Sequence, residues 1–110
     1  MTGLTTHVLD IAHGRPGAEV TVELWSGDGR QLKVAVTNAQ GRTDAPLLDG
    51  AALAAGPYRL VFHLGAYFAR LGVPTFFDRV ELRFRVTRTD EHYHVPLLAA
   101  PWGYSTYRGS

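Results

Sequence analysis

The stretch Val80-Glu81-Leu82-Arg83-Phe84-Arg85-Val86-Thr87-Arg88 decides the fold class. Val80, Leu82, Phe84 and Val86 fall on one side of an extended chain, while Glu81, Arg83, Arg85 and Thr87 fall on the other. Period-two alternation belongs to a strand with one face on a core and one in water. Working outward, the same rule places Tyr58, Leu60, Phe62 and Leu64 on one face, and Val20, Val22 and Leu24 on another. Further strands are predicted at 4–10, 32–37, 92–98 and 104–107. Turn chemistry separates them: Gly14-Arg15-Pro16-Gly17, Ser26-Gly27-Asp28-Gly29, residues 41–44 and 49–57, and Pro101-Trp102-Gly103. Residues 65–71 are predicted to form a short helix ended by Gly72-Val73-Pro74, and 51–55 to carry a short turn of helix. About eight short strands with so little helix make an all-β sandwich or barrel.

Composition bounds what such a domain does. The chain has 110 residues, enough for one domain over 1–110 with a real core. Its net charge of +1, from 11 basic and 10 acidic residues, gives no field to draw in nucleic acid or anionic lipid. There is no cysteine, which excludes disulfides, thiolate metal sites and a cysteine nucleophile. Their absence leans toward a reducing compartment. No stretch is long and apolar enough to span a membrane, and the first residues carry no basic leader, so the cytoplasm is the expected location.

Five positions invite chemistry. His7 is either a hydrogen-bonded strand histidine or a general base titrating near neutrality. His92 and His94 project from one face of a strand, the arrangement of two metal ligands, with His7 as a third; exposed histidines near a turn are the plainer reading. Arg42, in Gly41-Arg42-Thr43-Asp44, is a solvated loop residue with Asp44 capping the next turn, or a guanidinium for a flat, oxygen-rich ligand. Pro96 marks a strand edge or a bulge beside His94. The arginines of 79–88 read as a solvated face, since Glu81 interrupts them. Read alone, the tail Tyr107-Arg108-Gly109-Ser110 is a fraying end.

Three separated segments, LTTHVLDIAHGRPG (4–17), GRTDAPLL (41–48) and HYHVPLL…GYSTYRGS (92–110), resemble in order the 5-hydroxyisourate hydrolases, the transthyretin-related enzymes of urate degradation. The likeness spans essentially the whole chain, and the terminal YRGS is its most specific part. It implies a transthyretin-like (prealbumin-like) β-sandwich of two four-stranded antiparallel sheets with one short helix. It also implies hydrolysis of 5-hydroxyisourate to a carboxylated ureidoimidazoline, on the way to allantoin, with no metal and no cofactor. Position by position, His7, Arg42 and His94 match the catalytic residues. His7, Arg42, Tyr107 and Ser110 match the substrate-binding ones, and His92 has at most a supporting role. The family forms homotetramers, dimers of dimers with sites where dimers meet. A partner-created channel explains how a small sandwich finds a pocket and why its tail is ordered. The chain departs from the family pattern at Gly17, Ala99, Ala100 and Trp102, which lie between the matched positions. Two rival readings remain, a non-catalytic carrier of a small aromatic ligand and a zinc hydrolase using His7, His92 and His94.

Overall fold

In the computed structural model, which describes residues 2–109, nine strands and one helix follow one another. In chain order they are β1 (Gly3–Asp10), β2 (Arg15–Pro16), β3 (Thr21–Ser26), β4 (Gln31–Val36), β5 (Leu48–Asp49), β6 (Gly56–His63), α1 (Leu64–Arg70), β7 (Arg79–Val86), β8 (His92–Ala100) and β9 (Gly103–Thr106). The alternating stretch that sets the fold class is β7. Val80, Leu82 and Val86 are buried, and Arg79, Glu81, Arg83 and Arg85 are exposed. Glu81 lies between Arg59 at 3.6 Å and Arg83 at 3.8 Å, so that face is the solvated one.

The expected all-β sandwich with one short helix is the fold observed. One sheet has the order β4-β3-β6-β7, all antiparallel. The other has the order β2-β1-β8-β9, with the two-residue β5 pairing the start of β1. Two details of the expectation are corrected. This second sheet has five strands, and it is not wholly antiparallel, because β1 and β8 run parallel. Alternation cannot reveal this, since side chains change face at every residue whichever way the neighbour runs. Parallel neighbours need a long crossover. Here residues 11–91 supply it by building the whole opposite sheet first.

The inner faces meet in a continuous core. Leu4, Val8, Val22, Leu24, Leu60, Phe62, Leu64, Phe68 and Leu97 have almost no exposure. Burial of each such side chain contributes about 1.5–3 kcal/mol, and Phe62→Ala is expected to cost about 3–5 kcal/mol. The helix begins at Leu64 and ends where Gly72 takes the left-handed conformation (φ +70°). The amides of Gly72 and Val73 there donate to the carbonyls of Ala69 and Phe68, both at 3.0 Å. Residues 51–55 form a turn and no helix. The Ala52 amide donates to Asp49 at the start of this turn, and Gly50, Gly56 and Pro57 leave too short a run to nucleate a helix.

One buried carboxylate ties β1 to α1. Asp10 Oδ2 accepts from the Tyr67 hydroxyl at 2.7 Å and from His13 Nδ1 at 2.6 Å. Its Oδ1 accepts the amides of Ala12 and His13. Burial pushes the Asp10 pKa up, but these hydrogen bonds outweigh it and hold the carboxyl below its ordinary range.

Candidate active site

The parallel pairing of β1 with β8 builds the site. In register, Thr5 stands beside His94 and His7 beside Pro96. Leu4, Thr6 and Val8 point into the core, as do Tyr93 and Val95, so Thr5, His7, His92 and His94 share the outward face and are half-buried. Residues 87 positions apart in sequence thus become neighbours. The Thr5 hydroxyl lies 3.0 Å from His92 Nε2 and 2.8 Å from His94 Nδ1.

Arg42 arrives on a loop folded by Asn38. Asn38 Oδ1 accepts the amides of Gln40 (2.9 Å) and Arg42 (3.2 Å), and the Asn38 amide donates to the Arg42 carbonyl at 2.7 Å. This is an Asx turn, with the side chain standing in for a backbone partner. Gly41 occupies its tightest point at φ +77°, where its carbonyl accepts the Val8 amide at 2.8 Å. A Cβ there would stand 2.2 Å from the Val8 carbonyl oxygen, so only glycine fits. The loop is thereby fastened to β1, His7 is bridged to Arg42, and His7 Nε2 donates to the Gln40 carbonyl at 2.8 Å. Asp44 accepts from Asn38 Nδ2 at 3.0 Å. Among the described residues no carboxylate pairs with the Arg42 guanidinium.

Charge and burial act on the two histidines in one direction. Burial lowers the pKa of His7, and Arg42 lowers it further, outweighing the Gln40 carbonyl, which raises it. For His94, burial, then Arg42, His7 and His92, all lower it. Both rings are therefore neutral near pH 7, the state in which an imidazole can accept a proton. An uncommitted guanidinium beside them can hold planar oxygens and negative charge. The paired histidines of β8 are bridged by a threonine hydroxyl. Among the described residues no three histidines or carboxylates converge as a metal site.

The tail is fastened to this face. The Gly109 amide donates to the His94 carbonyl at 2.7 Å. Arg108 donates to Glu91 at 2.9 Å and to the His92 carbonyl at 3.2 Å, with its guanidinium 4.3 Å from the centre of the Tyr93 ring. Tyr107 is 59% exposed and borders an open cleft of about 580 Å³ with His92, Arg108 and Gly109. It also borders a second cleft, with Arg83, Arg85 and Tyr93, so the one at His92 is one of two that it faces. Ser110 lies outside the described residues. Pro96 is on an interior strand, but β9 stops pairing at Leu97 and the chain rejoins β8 only at Gly109. The proline sits in that gap, with its carbonyl accepting the Thr106 hydroxyl at 2.8 Å.

The sequence reading brought out His7, Arg42 and His94 but passed over Thr5, Asn38, Gln40 and Gly109. Gly109 lies within the YRGS segment that carries the resemblance, and Thr5 carried a signal of its own, since it lies two residues before His7 and must share its face.

The chain matches the model of a family described as "HIUase/Transthyretin family" over residues 4–109. It is 53% identical to 5-hydroxyisourate hydrolase 2 of Rhizobium meliloti (strain 1021), over 97% of this chain and 95% of that protein. Among solved structures it superposes on 5-hydroxyisourate hydrolase of Klebsiella pneumoniae with a TM-score of 0.87 and 45% identity, covering 99% of this chain and 100% of that one. Sea bream transthyretin in complex with thyroxine gives a TM-score of 0.88 at 29% identity, covering 96% and 93%. An (S)-allantoin synthase gives 0.93 at 39% identity over 99% of this chain, which spans only 44% of that longer one.

Proposed function

The chain belongs to the HIUase/Transthyretin family, and we infer from that membership and from its outward-facing site that it hydrolyses 5-hydroxyisourate. The observation that carries this is the convergence of the three distant segments that hold His7, Arg42 and His94, with the Arg42 backbone bridged to that of His7 and its charge lowering the pKa of both histidines. The hydrolases it resembles stand at 45% and 53% identity, and the thyroxine-bound transthyretin at 29%, which favours the enzyme over the carrier.

The reaction opens a six-membered ring at a cyclic amide carbonyl. A neutral histidine of the His7/His94 pair removes a proton from the attacking water. Arg42 orients the flat substrate and holds the charge that develops on its oxygen. Tyr107, which borders the cleft at His92, contacts the substrate, and Ser110 is assigned to substrate binding from the resemblance alone. No covalent intermediate is required, nor is a metal or cofactor.

The site belongs, in this reading, to a homotetramer in which another dimer covers the face. Support comes from its openness: His7 and His94 project from a sheet, beside half-exposed Leu9 and Leu98. A second copy laid over that sheet converts it into a channel and excludes water. The setting proposed is the cytoplasm, in keeping with a chain without cysteine. None of its described helices is long and apolar enough to cross a membrane.

The functional reading is tested by ultraviolet spectroscopy of freshly generated 5-hydroxyisourate. The protein should accelerate its decay far beyond the spontaneous rate, and should still do so in the presence of a strong chelator. Decay at the spontaneous rate would leave only a carrier, and loss of activity with chelator would indicate the zinc enzyme.

A further inference from the structure

The hydrogen bonds around the site restrict which nitrogen of each ring carries the proton, and this separates the roles of two histidines that the sequence treats alike. A carbonyl oxygen only accepts, so His7 Nε2, 2.8 Å from the Gln40 carbonyl, carries a hydrogen. In a neutral ring the other nitrogen, Nδ1, is then a bare lone pair. No described residue hydrogen-bonds to it.

His94 is governed by Thr5. A hydroxyl has one hydrogen, so lying between His92 Nε2 (3.0 Å) and His94 Nδ1 (2.8 Å) it can donate to one and must accept from the other. His92 decides the direction. Its Nδ1 is buried without a partner among the described residues. Were the hydroxyl to donate to His92 Nε2, the neutral His92 would carry its hydrogen on Nδ1, where nothing accepts it. A buried N–H without an acceptor is the rarer kind of orphan. The opposite direction puts the hydrogen of His92 on Nε2, the intrinsically preferred tautomer of a neutral histidine side chain, and gives His94 the same tautomer. The chain of bonds then reads His92 Nε2–H to Thr5 Oγ1, and Thr5 O–H to His94 Nδ1.

We propose that Thr5 is a positioning residue which, through this one-way hydroxyl, holds His94 with its hydrogen on Nε2 as an oxyanion donor and so leaves His7 Nδ1 as the base. This rests on the hydrolase reading above. In the addition step the water oxygen bonds to the carbonyl carbon while one water proton passes to His7 Nδ1. The carbonyl π pair moves to oxygen, where Arg42 and His94 Nε2–H hold it. In the collapse that pair returns, the carbon–nitrogen bond breaks, and His7 delivers the same proton to the departing ring nitrogen. One water is consumed, no other reactant is needed, and His94 never gives up its hydrogen. A neutral imidazole serving as such a donor has precedent in enzymes that tune a histidine well below its usual pKa. Burial, Arg42, His7 and His92 lower His94 in that sense.

Two measurements test the assignment. The first is nitrogen NMR of ¹⁵N-histidine-labelled wild-type protein at neutral pH. His94 should show a protonated Nε2 and a bare Nδ1, and His7 a protonated Nε2 and a bare Nδ1. The second compares Thr5→Val, which keeps the β-branched shape of a strand residue, with Thr5→Ser, which keeps the hydroxyl. Thr5→Val should lower kcat about 10–100-fold, the usual effect of removing the partner that orients an active group, with KM little changed. It should also turn the His94 nitrogen signals into a tautomer mixture, while Thr5→Ser restores both. A bare Nε2 on His94 in the wild type, or a Thr5→Val protein with unaltered kcat and unaltered His94 shifts, overturns the proposal. If the wild type fails to open 5-hydroxyisourate, the hydrolase reading falls instead, and the nitrogen shifts still report the tautomers.

Discussion

Gly109 lies against the imidazole of His94: its amide donates to the His94 carbonyl at 2.7 Å, and a Cβ at position 109 would stand 2.6 Å from His94 Cδ2. The last turn of chain is thus a wall for one of the proposed reacting rings. Gly109→Ala forces either the tail to lift or the ring to turn, and both re-aim Nε2. Misplacement of an active group by about 1 Å costs on the order of 100-fold in rate. The expected result is a kcat lower by about that factor and a Tm lowered by no more than about 4–8 °C, the shift for roughly 1 kcal/mol in a domain of this size.

Removal of residues 107–110 sharpens the same point. Arg108 and Gly109 are held to β8, but neither supplies core. The truncated chain should keep its β-sheet circular dichroism and a thermal transition within several degrees of the wild type. Turnover should fall to near the spontaneous rate. Truncated protein that remained fully active would remove the tail from the site.

The pH dependence follows from the direction in which His7 and His94 are shifted. Both have folded pKa values below the ordinary histidine value of about 6.5. The acid limb of kcat/KM, which reports the free enzyme, should therefore have its midpoint below about pH 6.5. The unfolded chain binds more protons than the native one in that window, so stability rises with pH there. The contribution of these rings is complete above about pH 6.5 and is lost as pH falls through the lowered folded values. Asp10, also depressed, makes a separate contribution, present above the ordinary carboxylate range and lost as pH falls through its folded value. Denaturant midpoints measured from pH 8 down to 3 would show the two falls; a flat profile between pH 7 and 5 would contradict the first.

Asp10→Ala should destabilise without touching the chemistry. The substitution strands the Tyr67 hydroxyl, His13 Nδ1 and the amides of Ala12 and His13 at the end of β1. Tyr67 is buried while Ala12 and His13 are exposed, so the main cost is the stranded hydroxyl together with the lost hydrogen bonds to a charged group, about 3 kcal/mol, or a fall in Tm of roughly 12–24 °C in a domain of this size. Below the new Tm, kcat should stay within about threefold of wild type, since such effects reach the site only through β1.

The architecture was legible in the sequence where one face is apolar and the other is not. Val80, Leu82 and Val86 are buried as alternation demands, and so are Val22 and Leu24. Direction was not legible, because a strand alternates identically beside a parallel or an antiparallel neighbour. His7, Arg42 and His94 stand out in the sequence through their segments. Their supports were missed, since nothing local says that the hydroxyl of Thr5 will lie between two rings nearly ninety residues away. Asn38 looked like any loop residue, yet it folds the turn that sets Arg42 beside His7. Pro96 reads as an edge or bulge residue; the strand is interior, but β9 breaks off beside it and leaves a local edge where no amide is required.

The central claim is that His7, Arg42 and His94 carry out the hydrolysis of 5-hydroxyisourate. Its most direct test is the initial rate of ultraviolet decay of freshly generated substrate with His7→Ala, Arg42→Ala and His94→Ala beside the wild type, each checked by circular dichroism. All three side chains lie on the outward face or a loop, so the fold should persist. Loss of a general base or an oxyanion donor costs about 100-fold or more, and each variant should show at least that deficit. Near wild-type turnover in any folded one of the three would contradict the claim.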